Sequence, residues 1–173
     1  MRSVVIEEGA LLGILTSAVE VYDKETCGIL IGRRKGNSYV IKYAITHQTA
    51  ERKKKEITVD DKYEKRINRT NCLISKYSRV GDYHSHIGKL DGLTDCDKKS
   101  LKIDGEGVSL LILIKKARKE RKWQYKAQEK KISGSIGSDY TISIKAYYYD
   151  HIKKRIHKIS LKCPYINTLN RIN

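Results

Sequence analysis

The sequence predicts a mixed α/β domain, and three observations carry that reading. Hydrophobic residues make up 39% of the 173 positions, enough to fill one core with little left over, so one domain over 1–173 is expected. The apolar set is rich in Ile, Leu, Val and Tyr, with 12 Tyr, one Trp and no Phe, which suits strands as well as helices. Apolar spacings of three to four residues alternate with spacings of two along the chain, which places helices among strands.

In residues 7–22, Leu11, Leu12, Ile14, Leu15, Ala18, Val19 and Tyr22 recur at spacings of three and four, the pattern of an amphipathic helix covering one face of a sheet. Residues 26–32 form a short apolar run ending in Gly32, 33–38 supply turn chemistry and 39–46 form a second strand-like run, so a hairpin is expected. The charged stretch 47–56 reads as a solvated loop, and 57–59 lead into a helix over about 60–77. Residues 79–86 read as a strand. A short helix over 95–103 is closed by Gly105 and Gly107 before 108–114, a run apolar on both faces that suits a central strand. Beyond it, Trp123, Tyr125 and Ala127, then Tyr140, Ile142 and Ile144, then Ile156, Ile159 and Leu161 alternate as strands of a meander do, with Gly134 and Gly137 between them.

Lys and Arg total 36 against 20 Asp and Glu, a net charge of +16. Such an excess attracts nucleic acid, an anionic membrane or an acidic protein, and it also arises from thermal adaptation or solubility. The basic stretch 115–131 carries Trp123 and Tyr125, but their alternation puts both rings on a sheet face, so nucleic acid is disfavoured as a partner. Cys27, Cys72, Cys96 and Cys163 lie far apart with no CxxC pair, which argues against a zinc ribbon or a redox motif; buried free thiols are expected, Cys96 included. No apolar run is long enough for a signal segment or a membrane span, so a soluble cytoplasmic protein with no membrane partner is expected.

Chemistry concentrates in residues 81–97. His84 and His86 are two apart, and in a strand both imidazoles then point to one side, able to reach one metal ion, while Ser85 faces away. Asp97 follows after enough chain to turn a loop and begin a helix, so its carboxylate can return as a third ligand. Three protein ligands leave a position open for water, the arrangement that distinguishes a hydrolytic zinc site from a structural one. Such a site needs a general base outside the ligand set, and Glu25, between the first helix and the first strand, is placed for it. Thr94 followed three residues later by Asp97 also reads as a capping box opening a helix. His47, His151 and His157 lack metal-ligand spacing and sit among charged residues, so surface positions are expected.

His84-Ser-His86, seven residues, Thr94, two residues and Asp97, with Glu25 upstream in Glu25-x-Cys-Gly-x-Leu-x-Gly32, resemble the signature of the JAMM metallopeptidases, also called MPN-plus or Mov34-type domains. The resemblance spans about 11–114, and the shortness of the chain between Asp97 and Val108 resembles a prokaryotic, particularly archaeal, member. It implies a cytidine-deaminase-like α/β fold, a mixed and largely antiparallel sheet flanked by helices with the metal at one edge. It further implies one Zn2+ per chain held by His84, His86 and Asp97, with Glu25 as general acid and base and Thr94 as the hydroxyl assisting the oxyanion. Two departures stand out: Thr94 occupies a position where the family usually has Ser, which narrows the carbonyl's approach, and Ile87 follows the second His where many members have Pro.

The activity implied is a zinc-dependent isopeptidase, cutting the amide bond between the C-terminus of a ubiquitin-like modifier and a protein lysine, with the modifier tail lying along an exposed strand. The partners implied are the modifier or its conjugates; an acidic modifier would be drawn to the +16 charge. Alternative readings are a JAMM-type peptidase trimming a ubiquitin-like sulfur-carrier protein, a non-catalytic MPN-type interaction module, and a basic nucleic-acid-binding module.

Overall fold

In the computed structural model, which describes residues 2–52, 57–103 and 107–172, the strand-favouring runs pair into one curled sheet. The chain order is β1 (Ser3–Ile6), α1 (Glu8–Glu20), β2 (Cys27–Lys35), β3 (Ser38–Thr46), β4 (Glu51–Arg52), β5 (Ile57–Thr58), α2 (Asp61–Ile74), β6 (Ser78–Ile87), α3 (Asp95–Ile103), β7 (Val108–Lys116), β8 (Gln124–Lys126), β9 (Lys131–Ile136), β10 (Tyr140–Asp150), β11 (Arg155–Lys162) and α4 (Ile166–Ile172). Nine strands run in the order β11-β1-β3-β2-β6-β7-β10-β9-β8, and β4 with β5 makes a separate ribbon. The sheet is largely antiparallel; β1 lies parallel to β3 and β11, and β6 to β7.

β10 gives its first half, Tyr140 to Lys145, to β9 and its second half, Ala146 to Asp150, to β11. Because β11 also pairs with β1, the strands from β11 through β10 close into a ring, and β9 and β8 splay off as a flap. Ala10, Leu11, Ile14, Leu15 and Ala18 of α1 are buried against the inner face with Leu30, Ile41, Leu110, Ile112 and Ile144. Each fully buried Leu or Ile of that set stabilises the fold by about 1.5–3 kcal/mol. Ile29, Ile31, Leu111 and Leu113, which point outward from β2 and β7, are buried as well, so the central strands are apolar on both faces as the 108–114 run predicts.

Several boundaries differ from the sequence reading. The hairpin of β2 and β3 is tighter, with the turn confined to Gly36 and Asn37, Gly36 having a positive φ of 55°. α2 stops at Ile74 rather than near 77 because Ser75 turns extended, and the Asn71 amide then donates to the Tyr77 carbonyl at 3.1 Å. The 47–56 loop contains β4, and its residues 53–56, like Gly105, lie outside the described residues. Gly134 is inside β9, beneath Trp123, whose ring carbons would be 2.4 Å from an added Cβ; Gly137 (φ 52°) makes the turn. β1 and α4 are additions: β1 is held by strands remote in sequence, and α4 docks through Asn170, whose amide exchanges two hydrogen bonds with the Trp123 backbone at 2.7 and 2.8 Å. No helix among the described residues is long and apolar enough to cross a membrane.

Gly81 sets the approach of β6 to β7. A Cβ there would sit 1.8 Å from the Val108 carbonyl oxygen, a backbone atom that cannot swing aside. Gly81→Ala is expected to destabilise the fold by at least about 3 kcal/mol, the upper end of ordinary overpacking costs, read as a lower urea midpoint.

Candidate metal centre

His84 and His86 occur on β6, an inner strand flanked by β2 and β7, so the centre lies on the face of an interior strand near its end and not at a sheet edge. The reason is topological: β1, β3 and β11 extend the sheet on one side, and β10, β9 and β8 on the other. His84 pairs with Cys27 and Leu111, and His86 with Leu113, which orients both imidazoles outward from the curled sheet while Tyr83 and Ser85 turn inward. Asp97 comes from the first turn of α3. Thr94 is its cap: the Asp97 N–H donates to Thr94 Oγ1 at 3.1 Å, and the Thr94 N–H donates to Asp97 Oδ2 at 2.6 Å. The capping box aims the carboxylate back at the strand.

His84 Nε2 lies 3.2 Å from Asp97 Oδ1, and His86 Nε2 lies 3.3 Å from Asp97 Oδ2. Ligand atoms about 2.0 Å from a tetrahedral zinc are themselves separated by roughly 3.3 Å, a spacing that both His–Asp pairs match, and all three ligand atoms lie within 4.8 Å of one another. His86 Nδ1 faces the Leu90 carbonyl at 3.4 Å, which favours a proton on Nδ1 and leaves the Nε2 lone pair for a metal. His84 Nε2 is buried and, although Asp97 Oδ1 lies 3.2 Å away, its geometry makes no hydrogen bond among the described residues, a cost that a metal ion would relieve. Two imidazole nitrogens and a carboxylate suit zinc. Burial works to raise the Asp97 carboxyl, but the contacts with His84, His86 and Thr94 outweigh it and hold the group well below the usual carboxylate range. Burial works to lower the His86 imidazole, yet Asp97, Glu25 and the Leu90 carbonyl together raise it.

Glu25 stands where β2 begins. The Ser85 N–H donates to the Thr26 carbonyl at 2.8 Å, and the Thr26 N–H donates to Ser85 Oγ at 2.9 Å, continuing the β2–β6 ladder one step past Cys27 and His84. That step brings Glu25 alongside His86, 9% exposed. Burial raises its pKa, opposed in part by His86 and His84. Ser85 and Thr26, both fully buried, are positioning residues that the sequence reading did not single out; the hydroxyls of Ser17, Tyr83 and Thr46 continue their network inward. Only the alternation that turns Ser85 inward hinted at them.

A cleft of about 660 Å3 collects all five predicted residues, with Ile57, Val59 and Leu90 on its walls. Two expectations fail here. His47 is 4% exposed and lines the cleft, because its N–H bonds the Cys27 carbonyl beside β2; burial lowers its imidazole pKa. Cys96 is exposed, since the second residue of α3 projects from the capped turn; Cys72 is exposed too, leaving Cys27 and Cys163 as the buried thiols. His151 is exposed as expected, whereas His157 is half-buried against Tyr148. Burial pushes the Cys27 thiol up to about 12, so it is inert as a nucleophile although it borders the cleft.

A mixed-sheet α/β domain whose inner strand presents two imidazoles to a carboxylate at a helix start is the class that fold and site define. The chain belongs to the JAB1/Mov34/MPN/PAD-1 ubiquitin protease family, whose model matches residues 1–100, a span that includes Glu25, His84, His86, Thr94 and Asp97. The solution structure of protein DSY2949 from Desulfitobacterium hafniense is similar in fold, with a TM-score of 0.60 over 92% of each chain at 12% identity. No curated protein matches the chain.

Proposed function

We propose that this protein is a zinc-dependent isopeptidase that hydrolyses the amide bond between the C-terminus of a ubiquitin-like modifier and a protein lysine. The observation that carries the reading is the convergence of the His84, His86 and Asp97 donor atoms, all within 4.8 Å of one another, in a cleft that Glu25 also lines. One Zn2+ held by those residues would supply Lewis acidity, polarising the scissile carbonyl and making water acidic enough to lose a proton near neutral pH. Glu25 takes that proton and returns it to the departing lysine nitrogen. Its burial moves its carboxyl upward, toward the pH at which one group can both accept and release a proton. Thr94 Oγ1 accepts the Asp97 N–H, so its own hydroxyl proton is left to donate to the charge developing on the carbonyl oxygen. Ile57 and Val59 border the cleft from the β5 side, a wall along which an extended modifier tail can lie.

The test is zinc content together with cleavage of a modifier fused through its C-terminal tail to a second protein, using wild type, Glu25→Gln and chelator-treated samples. Stoichiometric zinc with cleavage lost in the last two supports the reading; absence of zinc, or cleavage indifferent to chelation, rejects it. Thr94→Ala is expected to lower kcat by about 10²-fold through loss of the oxyanion donor, and stability by about 1 kcal/mol through loss of the cap. Thr94→Ser is expected to keep kcat within roughly a factor of three, since the hydroxyl survives. Equal kcat for the Ala and Ser variants at full zinc occupancy would remove Thr94 from the reaction.

A further inference from the structure

The sheet face that presents His84 and His86 continues sideways across β7, β10, β9 and β8. Residues in register share a face, so His86 heads a row of Leu113, Ser143, Ser133 and Gln124, and His84 a row of Leu111, Lys145, Lys131 and Lys126. At about 4.8 Å per strand these rows reach roughly 19 Å from the imidazoles. On this face opens a second groove, of about 750 Å3, with Ser133, Ser143 and Thr141 among its lining. It begins where β6 ends. Lys89 and Asp91 line the groove while Leu90, between them, lines the metal cleft, so the two adjoin across this loop. Lys145 Nζ holds this dividing loop through the Asp91 carbonyl at 2.5 Å and carboxylate at 2.8 Å.

Nine of the groove's 17 lining residues are Lys or Arg, against 36 of 173 in the whole chain, so the charge is concentrated here. Among the described lining residues the one carboxylate, Asp91, is committed to Lys145, and Glu129 beside the groove pairs with Lys131. Lys115, Lys116, Arg118, Lys119, Arg121 and Lys122 come from the end of β7 and the segment after it. The aromatics of this region do not serve the groove. Trp123 is 2% exposed and donates its Nε1–H to the Ser135 carbonyl, and Tyr125 alternates to the face opposite Gln124 and Lys126. A single-stranded nucleic acid would find no ring on which to stack its bases. Lysines predominate, point charges without the bidentate fork that fixes a phosphate, and they suit carboxylates of loosely specified sequence.

We infer that this groove binds an acidic segment of the substrate polypeptide, rich in Asp and Glu and adjacent to the bond being cut. The inference rests on the peptidase reading of the neighbouring cleft. The charge complementarity draws the segment in and delivers the scissile bond to Glu25; it acts on capture, not on chemistry.

Two fusion substrates that differ only in a short linker beside the scissile bond, Asp/Glu-rich in one and Gly/Ser in the other, test it. Wild type is expected to show a KM about tenfold lower for the acidic substrate at low salt, with kcat unchanged and the advantage shrinking as salt rises. The Lys115→Gln/Lys119→Gln/Lys122→Gln variant, with its melting temperature checked, loses that advantage. Equal KM values in wild type overturn the inference. If wild type cuts neither substrate, the peptidase reading falls by itself and binding decides the groove, measured as fluorescence anisotropy of labelled acidic and neutral peptides. Preference for the acidic peptide that is lost in the triple variant sustains the groove; indifference overturns it. An oligonucleotide of equal charge that binds more tightly than the acidic peptide at the same salt also overturns it, in favour of nucleic acid.

Discussion

Glu25→Gln is expected to leave the protein folded and able to bind zinc while kcat falls by about 10²–10⁴-fold, the range of general acid–base catalysis. Glutamine keeps the volume and hydrogen-bonding reach of glutamate but neither accepts nor returns a proton. The ladder that positions residue 25 does not use the lost charge, being made by the Thr26 backbone and Ser85. Burial disfavours the ionised carboxylate, so the neutral amide is expected to melt at the same temperature or slightly higher. The sign of the pH effect follows from the same burial. The proposed reaction needs the ionised form, so wild-type activity is expected to fall as pH drops through a Glu25 pKa lying above the ordinary glutamate value, and the residual activity of the Gln variant to lack that limb. A Gln variant that cuts as fast as wild type, with zinc bound, would remove Glu25 as the base.

His86→Ala is expected to lower zinc affinity by at least about 10²-fold and to abolish cleavage with it. Of the three proposed ligands, the substitution would leave a single imidazole and Asp97. Proton competition gives a second readout on the unaltered protein, because a metal takes a neutral imidazole. The His86 imidazole is raised mainly by Asp97 against the opposing effect of burial, so it holds its proton to higher pH than a free histidine. In the metal-free protein, the stabilisation from that raised pKa is fully present below the unfolded histidine pKa of about 6.5 and is lost as pH rises through the higher folded value. Zinc binding strengthens over the same interval. The difference in melting temperature between zinc-loaded and metal-free protein is therefore expected to widen as pH rises from about 6.5 through the raised His86 value. A difference that stays constant would mean that His86 does not exchange its proton for the metal.

Local rules made much of the fold legible. The three-to-four spacing of Leu11, Ile14, Leu15 and Ala18 marks α1, and the two-sided apolar run 108–114 marks β7, because each pattern reflects burial that the element itself imposes. β1 escaped because Ser3–Ile6 is four residues long and becomes a strand only by pairing with β3 and β11, more than thirty residues away in sequence. α4 escaped for a similar reason: Asn170 on Trp123 and the packing of Ile166 and Leu169 against a core remote in sequence hold it in place. At the site, His84 and His86 were readable as a pair from strand alternation alone, and Asp97 as part of a capping box from its distance to Thr94. His47 and Cys96 were misplaced, since neighbouring charge in sequence says little about which loop residue folds over a cleft and which projects from a helix start.

The sequence by itself determined which chemical groups are available and on which local element each sits, because side-chain period in a strand and capping at a helix start act over a few residues. Only the tertiary structure decided that β6 lies inside the sheet, that Thr26 and Ser85 lock Glu25 beside His86, and that His84 shares a face with Lys145, Lys131 and Lys126. Those juxtapositions arise from pairings between strands 50 or more residues apart in some cases, such as Thr26 with Ser85, 59 residues apart. Long-range register is set by the summed burial of the whole sheet, and no short window of sequence contains it.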